Sequence, residues 1–260
     1  MVDLPWLPCP DSAEVGDLID EAAKLAQWVP GEKPLRQAGG LNLSAEVSSA
    51  LELLEPLDLG TPAAAVAGSW AAIEALFVGP GDGRNRVTAA IRMARIVACS
   101  YIRTELTALA NAYAGECADA LAIGIRQIPE DIEKARMFED ALRAGTLAGF
   151  SRPRHCLALE RMQALASQPA EILPKIVSQL EDAFRRLYRQ RNLVLHAGDL
   201  TSVALAGTLR TAAPLVGAGV DRIVHASAVG GTSPLQVAAT AEVNLERVVD
   251  GDTRLVELLG

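Results

Sequence analysis

The chain has 260 residues, of which 50% are hydrophobic and only 4% are aromatic, and its formal net charge at neutral pH is −8. Such a composition supplies enough apolar side chains for a sizeable core, and the predominance of Ala and Leu over aromatic residues favours helices over strands. We therefore predict an all-α fold, and the charge argues against a broad basic surface that would bind long duplexes tightly.

Cysteine usage and hydropathy indicate the cellular location of the protein. The four cysteines are Cys9, Cys99, Cys117 and Cys156. They form no CxxC pair, which favours reduced thiols in a cytosolic protein over a disulfide framework. The N-terminus lacks the pattern of a signal peptide, and the most apolar segment, residues 202–220, is interrupted by Arg210 and Pro214. We expect a cytoplasmic protein that does not associate with membranes.

Apolar residues recur at helical spacing in segments separated by Pro and Gly. The predicted helices cover residues 11–28, 44–54, 61–78, 84–114, two or three shorter segments within 115–165, then 169–187, 201–227 and 233–249. Ser44 and Thr61 are suitable N-caps, and Pro214 should bend its helix. Residues 79–83 lack the Gly-Lys-Ser/Thr of a phosphate-binding loop, so we predict a plain turn there. The arginines that follow, Arg84, Arg86, Arg92 and Arg95, are expected to be mostly solvated, or to extend a track for RNA.

Glu74 lies on the apolar face of the predicted helix 61–78. Trp70, Ile73, Glu74 and Phe77 follow one another at positions i, i+3, i+4 and i+7, which share one side of a helix. A carboxylate on that side needs a partner. Two interpretations remain open: a structural ion pair with an arginine of the core, or positioning of a functional arginine or histidine.

The densest run of arginine lies close to one of the three histidines. It consists of Arg185, Arg186, Arg189 and Arg191, followed by His196. The guanidinium group fits phosphate oxygens and imidazole can take and give a proton near neutrality, which suits RNA cleavage without a metal. In that chemistry His196 would be the general acid or base and Arg191 would stabilise the charged phosphate. The 20 arginines against 4 lysines also fit a GC-rich genome, and arginines suit the dipole at the C-terminal end of a helix.

The spacing of Arg191 and His196 leaves three alternatives. In an unbroken α-helix the two side chains would point about 140° apart, whereas Arg189, Asn192 and His196 would share a face. Either the helix is distorted near His196, or Arg189 is the partner of His196, or the site is completed across a symmetric dimer.

The string Tyr188-x2-Arg191-Asn192-x3-His196-x-Gly198 resembles the active-site motif of HEPN-domain proteins. Residues 69–77, Ser-Trp-Ala-Ala-Ile-Glu-Ala-Leu-Phe, are similar to the first core helix of the Apea-like HEPN group. The resemblance implies a HEPN-like helical bundle with additional helices, usually a homodimer, with metal-independent endoribonuclease activity on single-stranded RNA. Such proteins often serve as toxins or antiviral defence effectors, controlled by an antitoxin or another partner protein. Gly198 departs from a subgroup that has Tyr at this position and a nucleotidyltransferase partner.

The resemblance assigns roles to individual residues. Arg191 and His196 would be catalytic, and the supporting residues would be Asn192, Glu74 and Tyr188. The RNA-binding residues would be Arg185, Arg186 and Arg189. No metal and no other cofactor is expected, because the sequence has no cluster of His, Cys and carboxylate ligands. The alternative is a non-catalytic HEPN-like module that binds a partner protein or a nucleotide, in which the Arg and His side chains are engaged in internal pairs.

The charge is divided unevenly along the chain. Residues 1–60 contain 11 acidic and 3 basic side chains, whereas residues 61–260 contain 21 of each. We predict an acidic N-terminal helical extension over residues 1–60 and the HEPN-like helical domain over residues 61–260. The extension either packs on the domain with solvated charges or covers the arginine run as an internal anion that restrains the enzyme.

His155 and Cys156 are adjacent and could suggest a nucleophile with its base. Neighbouring residues rarely face each other, and the sequence shows no third group that would orient the imidazole. We therefore predict a basic loop over residues 150–156, which could contact RNA.

Overall fold

A computed structural model of the chain describes residues 43–79, 81–82, 87–197, 203–251 and 253–258. All regular secondary structure in these ranges is helical, which confirms the predicted all-α class. Residues Leu43–Gly260 form a compact unit. The helix predicted at residues 11–28 lies outside the described residues, and the division at residue 60 stays a prediction.

The helices are numbered in chain order. They are α1 (Ala45–Leu53), α2 (Pro56–Leu59), α3 (Pro62–Phe77), α4 (Val87–Glu116), α5 (Ala120–Gln127), α6 (Asp131–Ala144), α7 (Pro153–Ser167), α8 (Pro169–Asn192), α9 (Val203–Gly230) and α10 (Pro234–Val249). A π-helical turn, Leu193–Ala197, continues α8, and a 3₁₀ turn, Leu255–Glu257, follows α10. Within the described residues, no helix is long and apolar enough to cross a lipid bilayer.

Helix α4 is the central element of the fold. It contains 30 residues and contacts α3 and each of the helices from α5 to α10. Its side chains Met93, Ile96, Ile102 and Leu106 are fully buried. Gly219 of α9 lies against it where Met93 Sδ occupies the space that a Cβ atom would need. A 30-residue helix covered by its neighbours explains how a chain with few aromatic residues forms a core.

The observed helix starts agree with the capping residues found in the sequence. Ser44 and Thr61 each accept a hydrogen bond from the backbone N–H three residues later, which satisfies a donor that the first turn leaves unpaired. Ser233 forms a reciprocal capping box with Gln236 at the start of α10. Helix α8 is longer than predicted, since it runs to Asn192 and includes the arginine run. Arginine is a good helix former, so the charged run does not end the helix.

Arg92 closes the turn that follows α3. Gly79 N donates to Asp82 Oδ2 over 2.7 Å, and Arg92 forms a two-pronged ion pair with the same carboxylate. Arg95 pairs with Glu242 over 2.6 Å. Each of these two arginines is thus partly exposed and has a carboxylate partner, and their contribution to a track for RNA stays a prediction. Arg84 and Arg86 lie outside the described residues.

Candidate functional site

The amphipathic helix α8 fixes the direction of the arginine run. Ile172, Ile176, Phe184 and Leu187 are buried on one face, where α8 contacts α3, α4 and α9. The arginines that alternate with this face are placed at its edge or on the outer surface. The burial of the apolar face therefore determines which of them reach solvent.

Glu74 of α3 lies beside Arg191 in the last turn of α8. The Oε2 atom of Glu74 is 3.8 Å from Arg191 Nη2, and the exposed fractions of the two side chains are 13% and 24%. Arg191 Nη1 also donates to Asn192 Oδ1 over 3.0 Å. The carboxylate on the apolar face of α3 thus has a cationic partner, and that partner is the arginine of the Arg–His motif. Both a structural and a positioning role of Glu74 agree with this pair.

Tyr188 connects the same two helices by aromatic packing. Its ring centroid lies 4.8 Å from that of Trp70, with an angle of 41° between the ring planes. Trp70 is fully buried, so this contact joins α8 to the core. The aromatic pair and the Glu74–Arg191 pair are placed one helical turn apart on α3, and together they fix the C-terminal end of α8 against it.

A π-helical turn interrupts the α-helical pattern inside the Arg–His motif. Leu193–Ala197 adopts this conformation, and the turn contacts α3. A π turn joins residue i to residue i+5 and winds more loosely than an α-helix, and such turns occur frequently at functional sites. The helix is therefore distorted near His196, as in the first of the three alternatives. His196 is exposed, and Gly198 lies outside the described residues.

The other arginines of the run interact mainly with α8 itself. Arg185 pairs with Glu181 over 2.9 Å, while Arg186 and Arg189 are exposed and each donates to a backbone carbonyl one turn earlier. Arg186 borders a cleft of about 200 Å³ between α8 and α9, which is smaller than typical small-molecule pockets of about 300 to 1,000 Å³. The guanidinium groups of Arg186 and Arg189 therefore lie on an open surface. An extended strand can contact such a surface, whereas a small ligand needs a pocket that encloses it.

A larger cleft, of about 410 Å³, lies between α8 and α10. Its lining contains four carboxylates, from Glu181, Glu242, Glu246 and Asp250, and one guanidinium, from Arg95. An anionic strand would be repelled there. This cleft is therefore a poor candidate for a phosphate site, although it is larger than the cleft beside Arg186.

A second arrangement of charged groups, which the sequence did not predict, lies at the start of α7. Glu116, at the end of α4, approaches His155, with 2.5 Å between Oε1 and Nδ1. The other carboxylate oxygen of Glu116, Oε2, accepts from the backbone N–H of Ser151 over 2.8 Å and from its hydroxyl over 2.7 Å. The prediction that no third group orients His155 is therefore wrong. Glu116 and His155 are 39 positions apart, and only the packing of α7 on α4 brings them together.

The surroundings of Glu116 favour its charged form. Hydrogen bonds from the Ser151 hydroxyl and backbone, and from His155, lower the pKa of Glu116 to about 2. The Phe150 ring packs against the imidazole at a centroid distance of 5.4 Å. Arg154 Nε donates to His155 Nε2 over 3.1 Å. His155 is thus held on three sides, and Cys156 donates instead to the carbonyl of Phe150.

Metal ligands and related proteins give no further indication of function. Across the described ranges, no group of three or more His, Cys, Asp and Glu side chains is arranged to hold a metal ion. Comparison with family models, curated proteins and solved structures finds no match to this chain. Function is therefore inferred from the two clusters themselves and from the resemblance of the motif.

Proposed function

We propose that this chain is a HEPN-type, metal-independent endoribonuclease that cuts single-stranded RNA in the cytoplasm. We further propose that it acts as a homodimer and serves as a toxin or antiviral defence effector, controlled by an antitoxin or another partner protein. The observation that carries the proposal is the π-helical turn Leu193–Ala197 inside the Arg–His motif, because it changes the helical geometry at the residues that the motif singles out.

The proposed reaction is an internal transesterification. His196 removes the proton of the ribose 2′-OH, whose oxygen then attacks the adjacent phosphorus and displaces the 5′ oxygen of the next nucleotide. The leaving oxygen takes up a proton, from solvent or from the second copy of the site in a dimer. The products are a 2′,3′-cyclic phosphate and a 5′-hydroxyl end. The exposure of His196 supports this role, because a flexible strand must reach the imidazole.

Arg191 supplies the positive charge in this mechanism. The pentacoordinate phosphate carries more negative charge than the substrate, and a guanidinium already in place stabilises it without reorganisation. The Glu74 carboxylate, 3.8 Å away, would limit the orientations of Arg191 before RNA binds. Asn192, whose Oδ1 accepts from Arg191, would hold the guanidinium from its other side. Arg186 and Arg189 would contact phosphates along the strand from the exposed surface of α8.

A second candidate function is a non-catalytic HEPN-like module that binds a partner protein or a nucleotide. The observation that favours it is the engagement of Arg191 with Glu74 and Asn192. An arginine whose main task is structural would be held in the same way. The two functions predict different effects of replacing His196: an endoribonuclease would lose RNA cleavage, whereas a binding module would have no cleavage to lose.

The test is cleavage of total RNA in EDTA by the wild-type protein and by His196→Ala. We expect cleavage with 2′,3′-cyclic phosphate ends, reduced at least about 100-fold in the variant, since a general acid or base typically contributes that much or more. The matched control is His225→Ala, which removes another exposed histidine, from α9, and should cleave like the wild type. Equal cleavage by His196→Ala would contradict the proposal. No cleavage by the wild type would favour the binding module.

A further inference from the structure

The larger cleft, of about 410 Å³, lies between α8 and α10 and follows both helices along their length. Its lining on α8 extends from Leu173 to Glu181, and its lining on α10 extends from Glu242 to Asp250. Each wall therefore presents about two helical turns, or about 12 Å at a rise of 1.5 Å per residue. A groove of this form between two helices is suited to receiving a third helix.

Apolar side chains line the cleft at helical spacing. Leu173 and Val177 are four residues apart on α8, and Leu245 and Val249 are four residues apart on α10. The two leucines are buried and the two valines are half-buried, so each wall has an apolar stripe that leads from the core to the surface. A ligand with an apolar face would remove the exposed part of these stripes from water.

The cleft also carries an excess of negative charge. Two of its four carboxylates already have arginine partners, at distances of 2.6 and 2.9 Å. The other two, those of Glu246 and Asp250, are exposed, and no basic side chain among the described residues pairs with them. A ligand that enters the cleft therefore meets two carboxylates whose charge is not compensated.

The position of these two carboxylates in α10 favours a cation further. Glu246 lies in the last turn of the helix, and Asp250 is its C-cap. The C-terminal end of a helix carries partial negative charge, which disfavours carboxylates and favours cations. Arg247 lies in the same turn but does not line the cleft. The helix end and the two carboxylates thus both indicate a positively charged ligand.

We propose that the cleft between α8 and α10 binds a basic amphipathic helix of a partner protein. The apolar face of that helix lies on the two stripes, and its Lys or Arg side chains pair with Glu246 and Asp250. A small cation would neutralise the carboxylates but leave the stripes in water, and a nucleic acid would be repelled. The inference does not depend on the endoribonuclease proposal, because none of the residues assigned to RNA lines this cleft.

The first experiment measures binding of a fluorescent synthetic peptide by anisotropy. The probe contains about 18 residues of Leu, Ala and Lys, which are good helix formers. Its Leu residues form one face of the helix and its Lys residues border that face. A scrambled peptide of the same composition and charge distributes Leu around the helix. We expect the amphipathic peptide to bind at least about tenfold more tightly, because only this peptide buries an apolar face in the cleft.

The contribution of charge is tested with the variant Glu246→Gln/Asp250→Asn. The matched control, Glu130→Gln/Glu160→Gln, removes the same charge from exposed positions before α6 and on α7. We expect the Kd of the amphipathic peptide to be about fivefold higher for the cleft variant than for the control at low ionic strength. Added salt should reduce this difference, since the carboxylates are exposed.

The contribution of the apolar stripes is tested with Val177→Ser. The matched control is Val243→Ser on α10, because Val243 is 52% exposed and lies outside the cleft. We expect Val177→Ser to raise the Kd of the amphipathic peptide about fivefold and Val243→Ser to leave it unchanged. Thermal unfolding of both variants shows whether they are folded. The charge variant tests the inference even where Val177→Ser unfolds.

Three outcomes would overturn the inference. Equal affinity for the amphipathic and scrambled peptides, or equal Kd in the charge variant and its control, would show that the net charge of the protein attracts any cation. Spermine binding that depends on Glu246 and Asp250, without an effect of either on the peptide, would reassign the cleft to a small cation. Conversion of a dimer to a monomer by Val177→Ser, in sedimentation equilibrium, would assign the cleft to a second copy of this chain. None of these measurements uses RNA, so failure of the endoribonuclease proposal would leave them unaffected.

Discussion

His155 and His196 are positioned in opposite ways. His155 lies at the start of α7 with its Nδ1 against a carboxylate, its ring against Phe150, and 16% of its side chain exposed. His196 is exposed in a π-helical turn, and the described part of the chain provides no carboxylate partner for it. His196, which belongs to the recognisable motif, thus has fewer contacts that fix its ring. His155, which belongs to no motif, has more of them.

The difference shows that a sequence motif does not by itself indicate which side chain the fold holds in a fixed orientation. An oriented imidazole is suited to binding a fixed group, because little conformational entropy is lost when the ligand arrives. In the proposed mechanism, the exposed imidazole of the π turn would acquire its working geometry only when RNA or a second copy of the chain surrounds it. The proposed chemistry therefore concerns the α8 region, and the oriented imidazole of α7 serves as its comparison.

The largest expected effect concerns the packing that supports the motif region. Trp70→Ala should lower the free energy of unfolding by about 3 to 5 kcal/mol, because a fully buried tryptophan is replaced by a cavity. Urea unfolding followed by circular dichroism measures the loss. Tyr188→Phe keeps the ring that packs on Trp70 and should change stability by less than about 0.5 kcal/mol. A wild-type midpoint for Trp70→Ala would show that the α8 region does not depend on this contact.

An intermediate effect is expected from the carboxylate beside Arg191. Glu74→Gln should cost about 1 kcal/mol of stability and should lower RNA cleavage about tenfold, because the guanidinium loses the anion that orients it. Glu105→Gln is the matched control, since Glu105 pairs with Arg161 over 2.6 Å at similar exposure. The control should lose similar stability but no cleavage. Equal cleavage by both variants would show that the Glu74–Arg191 pair is only structural.

The smallest expected effect is the pH dependence of stability due to Glu116. Its pKa falls from an ordinary 4.5 to about 2 on folding, so the folded state binds its proton less readily than the unfolded state. The stabilisation is complete above about pH 4.5 and is lost as the pH falls towards 2. Unfolding of wild type and Glu116→Gln should therefore differ by a constant amount near neutrality and converge below pH 4.5. A difference that grows on acidification would contradict the hydrogen bonding described for Glu116.

Helix starts are predicted correctly where the sequence has a capping residue followed by proline. Thr61 with Pro62, and Ser233 with Pro234, mark helix starts that the structure confirms. The predicted end of α8, at residue 187, is five residues too early, because the sequence gives no stop signal between Leu187 and Asn192. The Glu181–Arg185 pair, four residues apart, shows how α8 accommodates charge as it continues to Asn192.

The two regions were not equally predictable. The sequence singled out Glu74 as a carboxylate in need of a partner, because its place on an apolar face is a local property of one helix. The pair of Glu116 and His155 depends on how α7 packs against α4, and no periodicity within either helix encodes that contact. Distortion of the helix near His196 was one of three alternatives, and only the backbone of the folded chain distinguishes a π turn from a continued α-helix.

The most direct test of this division of roles is steady-state cleavage of one RNA by His196→Ala and His155→Ala. We expect His196→Ala to lower kcat at least about 100-fold with little change in KM, since a general acid or base acts in the transition state. His155→Ala should keep a kcat close to the wild-type value, because the proposed chemistry does not involve His155. A collapse of kcat in His155→Ala, with normal turnover by His196→Ala, would contradict this division of roles and place the chemistry at the Glu116–His155 pair.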